Sequence, residues 1–324
     1  IARDARGVPT IVGSGAGVLT ERGEVSGEPA AAGITWQGGS SEVIAVNPAG
    51  GDIGEPLAAA LRGLGSDMSA AFVLAKADRF GPDTLEPMRE LPGGQNIAGG
   101  GTVGSLDSFA VDASGRVVSG AAVALLVRGL PRPIIRSSPG CRLLMPLRRI
   151  TAIRGAMVTG IGGEPALEVL SSAAQDLVGQ PLVLAVLAAG DASEGQRANL
   201  LVRAVQGVDP VSGGLLISSE VRVGMLIAFA IRDSAAARAD LETVVRELER
   251  EIAGALPRFG VYFNCAGRGT SLHGTRDVDI RILRSRLGSV PLAGMFSAFE
   301  IAPYQGAPAL ELYTGVLSLF TAPS

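Results

Sequence analysis

The chain has 324 residues, 47% hydrophobic and 18% charged, with a formal net charge of -3 and a mean hydropathy of +0.35. At roughly 150 residues per domain this length predicts two domains, and the composition excludes intrinsic disorder. With 4% aromatic residues the chain lacks the basic field and stacking surfaces of a nucleic-acid binder, so no nucleic-acid partner is expected.

In chain order, Ile1–Val8 reads as the tail of a helix or loop, so the sequence is expected to begin inside a longer protein. Pro9–Gly13 is an apolar strand running into glycines, and Pro29–Trp36 is a second strand. Gln95–Gly101 followed by Ser119–Leu126 repeats that order, as does Val290–Gly294 followed by Leu312–Phe320. This weak internal repeat predicts duplicated strand–glycine turn–strand units whose turns, at Gly13–Gly17 and Gly99–Gly104, lie close together. Gly129–Gly140, with three prolines and no periodicity, reads as an interdomain connection. Pro165–Val178 is a short amphipathic helix, and strands follow at Leu182–Ala188, Leu200–Gln206, Leu215–Ser218 and Leu226–Arg232. Asp209–Gly214 has the chemistry of a turn. The clearest helix is Ser234–Leu256, where Leu241, Val244, Val245, Leu248, Ile252 and Leu256 form one stripe and Asp233 or Ser234 caps the start. A strand at Gly260–Asn264 and a helix at Asp277–Leu287 complete the series. The expected fold is α/β, with an N-terminal domain (1–132), a C-terminal domain (133–324) and a mixed sheet flanked by helices in each.

The uncharged apolar runs Pro181–Ala189 and Gly224–Ile231 are about half of the roughly 18 residues a membrane span needs. With no basic-then-apolar leader, a cytoplasmic location and no membrane partner are expected. The single histidine (His273), two cysteines (Cys141, Cys265) and single lysine (Lys76) leave too few soft ligands for a Cys/His zinc site, and no metal is expected. Lys76 does not stand in a phosphate-binding Gly-Lys-Ser/Thr loop, and no Gly-x-Ser-x-Gly elbow accompanies His273. Gly99–Gly104 matches G-x-G-x-x-G, but the following Ser105–Gly115 reads as strand and turn rather than a helix facing a pyrophosphate. Gly99 and Gly100 are therefore expected in a turn where backbone approaches a ligand or another strand.

Cys265 ends a strand and precedes Ala-Gly-Arg-Gly, the place of a pocket residue in an α/β fold. It is expected to line a pocket, to be a buried structural thiol or to act as a nucleophile, the last with only His273 as a base. Arg268 either holds an anionic ligand group bidentately or pairs with a carboxylate such as Glu300. His273 is an ordinary core or surface residue, a haem ligand or a pH-sensitive contact.

At Phe263–Gly274, Val290–Ile301 and Tyr313–Leu319 the chain resembles the C-terminal domain of FIST proteins, with Val202–Asp209 and Phe229–Asp233 similar to its earlier part and Pro139–Arg142 opening it. Val12–Val18, Glu24–Ala30, Ile97–Gly101 and Ser119–Ala124 are similar to the family's N-terminal domain. The resemblance implies small-ligand sensing in intracellular signal transduction, with amino acids as ligands and a signalling protein as partner. It also implies haem in some members. The glycine-turn N–H groups and the Arg268 fork suit a small anionic or zwitterionic metabolite. Ser14 stands where many members have Cys, Phe299 replaces a Gly before Glu300, and Ala230 occupies a position often held by His, leaving His273 as the haem candidate. The expected ligand residues are Gly13, Ser14, Gly99, Gly100, Cys265, Arg268, Gly269, His273 and Glu300, in a protein that binds without catalysis and carries no obligatory cofactor.

Overall fold

The computed structural model describes residues 7–48, 52–62, 67–104, 108–179, 181–189 and 200–322. The readings on residues 1–6 and 105–107 lie outside these. Contacts divide the chain at other places than the expected break between 132 and 133. One unit comprises Ile1–Ser138 and Asp240–Ser324, the other Pro139–Ala239.

The first unit begins with β1 (Thr10–Val12), β2 (Gly17–Thr20), β3 (Gly23–Ser26), β4 (Ser40–Val46) and α1 (Gly54–Arg62). β5 (Met68–Lys76), β6 (Ile97–Thr102), β7 (Ser108–Val111), β8 (Val117–Gly120), β9 (Ala122–Arg128) and β10 (Ile134–Pro139) follow. The second unit holds β11 (Cys141–Leu143), β12 (Arg148–Arg154), β13 (Met157–Ile161), β14 (Glu164–Pro165), α2 (Ala166–Ala174), β15 (Val183–Ala188), β16 (Leu201–Asp209), β17 (Gly214–Ile217) and β18 (Leu226–Arg232). Helix α3 (Ser234–Glu251) starts in its residue range, with the Asp233 carboxylate accepting from the Ala236 N–H at 2.8 Å. The first unit then resumes through β19 (Pro257–Cys265), α4 (Gly269–His273), α5 (Val278–Leu287), β20 (Leu292–Ser297), β21 (Glu300–Tyr304), β22 (Ala307–Glu311) and β23 (Thr314–Thr321).

Two six-stranded mixed sheets form the first unit, ordered β22-β21-β6-β5-β9-β4 and β10-β23-β19-β20-β2-β3. Strand alternation decides the layers, because successive side chains leave opposite faces. Ala70, Phe72 and Leu74 of β5 meet Phe259, Phe263, Val316 and Phe320 of the second sheet, while Ala71, Val73 and Ala75 pack with Leu57, Ala58 and Leu61 of α1. Tyr262, Leu292, Phe296 and Leu317 turn the other way, onto α3 and α5. The result is helix, sheet, sheet, helix. Stacked rings knit the inter-sheet layer, with Phe259 4.4 Å from Phe320 and 5.1 Å from Trp36. Strands β1, β7 and β8 form a separate three-stranded sheet, with Ile11, Ala110 and Val118 packed into the same layer.

The sheets are copies in topology. β5 and β6 are parallel, as are β19 and β20. β9 runs antiparallel to β5 with β4 beyond it, and β23 runs antiparallel to β19, with β10 beyond it. Superposing the registers sets Val73 against Tyr262, Ala75 against Asn264, Lys76 against Cys265 and Thr102 against Ser297. Gly99 and Gly294 also coincide, and at each an added Cβ would strike a carbonyl oxygen of the neighbouring parallel strand, that of Val73 or Tyr262. The duplication read in the sequence is therefore present for its second and third units. It fails for the first, because Pro29–Trp36 carries no strand.

The second unit lies within the range of the expected C-terminal domain, whose mixed sheet is the one built on β19 and β20. The strands of the second unit pair antiparallel in the cycle β18-β12-β13-β17-β16-β15 and back to β18, a closed barrel that leaves these strands no edge. Asp209 holds the β16–β17 turn by accepting from the N–H groups of Val211 and Ser212. In chain order the barrel lies between the first strand and the helix of the second repeat. The proline-rich Gly129–Gly140 is accordingly not a plain connection, since half of it is β10, an edge strand of the second sheet, where missing N–H groups are tolerated.

Candidate functional site

The carboxyl ends of β6, β19 and β20 converge. Ser14 clasps Val103 just past β6, its Oγ donating to the Val103 carbonyl at 2.8 Å while its own carbonyl accepts from the Val103 N–H at 2.9 Å. The Ala16 N–H donates to the Phe296 carbonyl at 2.9 Å, tying the same loop to β20. The expected proximity of the two glycine segments is thus found, though Gly99 and Gly100 lie in the buried strand β6 rather than in a turn. Crevices beyond the carboxyl ends of parallel strands are where α/β folds bind ligands.

At this place Cys265, a half-buried thiol, stands beside Ser297 in the parallel register. The Ser297 hydroxyl donates to Glu300 Oε1 at 2.9 Å. Glu300 has no exposed area, and it sits opposite Gly100 of β6 on one side and Glu311 of β22 on the other. Its second oxygen, Oε2, has no hydrogen-bond partner. Burial raises the Glu300 pKa well above the ordinary carboxylate value; hydrogen bonds from Ser297 and the Thr314 backbone oppose the rise, and the Glu311 charge adds to it. Gly100 is glycine because a Cβ there would press on Ser297 and Phe263.

Arg268 is not part of this cluster. It is 1% exposed, donates from Nε to Asp279 Oδ2 at 2.8 Å and gives its terminal nitrogens to the Ser138 carbonyl and Oγ. Asp279 also accepts from the Tyr262 hydroxyl at 2.9 Å and Asn264 Nδ2 at 3.1 Å, and lies 3.2 Å from His273 Nε2. Burial works against ionising either member of the pair. Their mutual attraction prevails, holding the Asp279 carboxyl below its ordinary value and the Arg268 guanidinium above its own. Arg268 is therefore a buried cation that pairs directly with Asp279 rather than with the expected Glu300. His273 is likewise a core residue. Its side chain has no exposed area and directs Nε2 at a carboxylate, whereas a haem iron needs an imidazole nitrogen facing an open cavity. Haem held through His273 does not fit.

Gly269 opens the five-residue α4 with φ +33°, and a Cβ there would press on the Phe296 ring. Gly13 packs against Leu74 and Thr102. Of the expected ligand residues the structure groups Gly100, Cys265 and Glu300, with Ser14 close to the same strand ends, and sets Arg268 and His273 in the layer between the second sheet and its helices. Sequence reasoning missed Asp279, Ser297, Glu311 and Thr314. Asp279 had a signal, since it shares the buried side of α5 with Leu283 one turn on.

These features define a duplicated α/β protein with a buried polar cluster at its strand ends. Family comparison matches residues 1–164 to the FIST N domain and residues 166–303 to the FIST C domain, and the chain belongs to the FIST family. FIST domains are associated with sensing in signal transduction. The chain is 35% identical over 190 residues to the uncharacterised protein Rv0628c of Mycobacterium tuberculosis, covering 56% of this chain and 49% of that one. It is 31% identical over 205 residues to the uncharacterised protein Mb0898c of Mycobacterium bovis, covering 60% and 53%. The matches thus span about half the length of these curated relatives. Among the described residues no helix is long and apolar enough to cross a membrane.

Proposed function

We propose that this chain is the binding part of a small-molecule sensor and that its ligand carries an ammonium group, as an amino acid does, received by Glu300. The supporting observation is the buried Glu300 Oε2, an acceptor with no donor, at the carboxyl ends of parallel strands. A buried acceptor left unmatched costs about 1–3 kcal/mol, which a donor from a ligand relieves. An ammonium also restores the ionised form that burial disfavours. Binding without transformation accords with His273 and Arg268 both being held at Asp279. The bound state is then passed to a signalling partner.

Calorimetry against a panel of amino acids and simple amines tests this. Glu300→Gln should weaken binding by about 1.5–3 kcal/mol, the value of a hydrogen bond to a charged group, and the 2-hydroxy acid matching the best amino acid should not bind. Equal binding of the hydroxy acid, or no heat from any member, overturns the reading.

A further inference from the structure

The second sheet lacks one side chain on the face it turns to its helices. Gly260 of β19 lies between Leu292 of β20 and Leu319 of β23, its register partners on either side. With Tyr262 set against Val73, the equivalent position in the first copy is Ala71, which does carry a side chain into its core. At Gly260 the methyl tips of Leu292 and Leu317 lean in instead, 2.9 Å and 3.3 Å from where a Cβ would stand. Between these leucines and Leu283 and Leu287 of α5 runs a crevice of about 300 Å³, its mouth included. It lies at the start of β20, at the other end of that strand from Ser297.

Two charged residues line the crevice, Glu21 and Arg284. Glu21 is already engaged, since Oε2 accepts from the Leu292 N–H at 3.2 Å and Oε1 lies 3.5 Å from Arg22 Nε. Arg284 stands exposed on the last turn of α5. Among the described residues its side chain has no ion pair or hydrogen bond, whereas Arg286 on the same turn meets Glu249 at 3.8 Å.

We propose that this crevice is a ligand site separate from Glu300 and that it takes a short, branched aliphatic carboxylate. The hydrocarbon packs on the leucines, where leaving water is favourable, and the carboxylate meets the Arg284 guanidinium, whose planar fork suits it. The volume is at the lower end of the roughly 300–1,000 Å³ of ligand sites, so a long acyl chain or a ring system is excluded. An amine of the same shape meets the Arg284 charge with the wrong sign. An arginine in a last helical turn also offsets the carbonyl end of its helix. The two roles part in one respect, because only contact with the ligand makes affinity follow the ligand's charge.

The test is a titration of methyl-labelled protein with 4-methylpentanoate, followed by NMR. The methyl signals of Leu283, Leu287, Leu317 and Leu319 should shift and saturate. The uncharged 4-methylpentanamide should bind about two- to five-fold more weakly, the range of an exposed charge pair. Arg284→Gln should bring the acid down to the affinity of the amide and leave the amide unchanged. Arg284 is exposed, so this variant keeps the fold, which its ligand-free methyl spectrum checks. Equal affinity of acid and amide, or an acid indifferent to Arg284→Gln, overturns the proposal. Shifts confined to other methyls, or no shift at all, overturn it as well.

Discussion

The two sheets of the first unit share strand order, direction and one close backbone approach, yet differ in what they bury. Against α1 the first sheet places Val73 and Ala75. At the equivalent positions the second sheet places Tyr262 and Asn264, both bonded to Asp279. Lys76 and Cys265 end equivalent strands, as do Thr102 and Ser297. The first copy makes the same arrangement of strands and helix with apolar side chains at these positions. The buried polar network of the second copy is thus an addition to the fold. What it adds is position, because Arg268 follows Cys265 within one turn, its N–H donating to the Cys265 carbonyl at 2.7 Å.

The comparison breaks most visibly at Asp279. Asp279→Ala should cost about 3–5 kcal/mol by leaving the Arg268 charge buried and uncompensated, measured by denaturant unfolding. Replacing both, as Arg268→Met with Asp279→Leu, should recover most of that loss and make the second copy resemble the first. A double variant as unstable as the single one would mean that the network is needed for folding after all. The equivalent glycines sharpen the likeness. Gly99→Ala and Gly294→Ala should each cost about 1–3 kcal/mol through the same carbonyl clash, and a loss confined to one would end the equivalence.

A smaller effect is expected at the serine. Ser297→Ala should cost about 1 kcal/mol by removing a donor from Glu300, more than Thr102→Ala, whose hydroxyl reaches the Ala75 carbonyl only at 3.5 Å. The pH dependence should also carry two opposite signs. The Asp279 pKa is lowered on folding, so its contribution is present above the unfolded value and lost as pH falls through the folded one. The Glu300 pKa is raised, so its contribution is full below the unfolded value and lost as pH rises through the folded one. Melting curves across pH should show the second loss in wild type and not in Glu300→Gln.

Much of this architecture was legible because hydrophobic periodicity is local. Leu226–Arg232 is a strand over the full expected span, and α3 begins at the expected Ser234. Pro29–Trp36 and β10 were misread because glycine and proline content stood in for neighbours that only the sheet supplies. The site was half legible. Cys265 was singled out from its place at a strand end and Glu300 from the resemblance, and the structure sets the strands near them, β19 and β20, side by side. Arg268 was misassigned because one of its partners, Ser138, lies 130 residues away and the other sits on a separate helix. No local pattern encodes that meeting.

One pairing has a consequence for synthesis. The edge of β6 is completed by β21, through Gly99 with Ile301 and Gly100 with Glu300. On a ribosome adding about 5–20 residues per second, β6 emerges roughly 10–40 seconds before its partner, and the whole barrel sequence is made in between. During that interval a growing chain carries an unfinished sheet margin that could recruit strands from other nascent chains. Three consecutive glycines make that margin a poor template, because they offer no side chains for a foreign strand to pack on. The run Gly99–Gly101 thus also acts as a safeguard for the half-made protein.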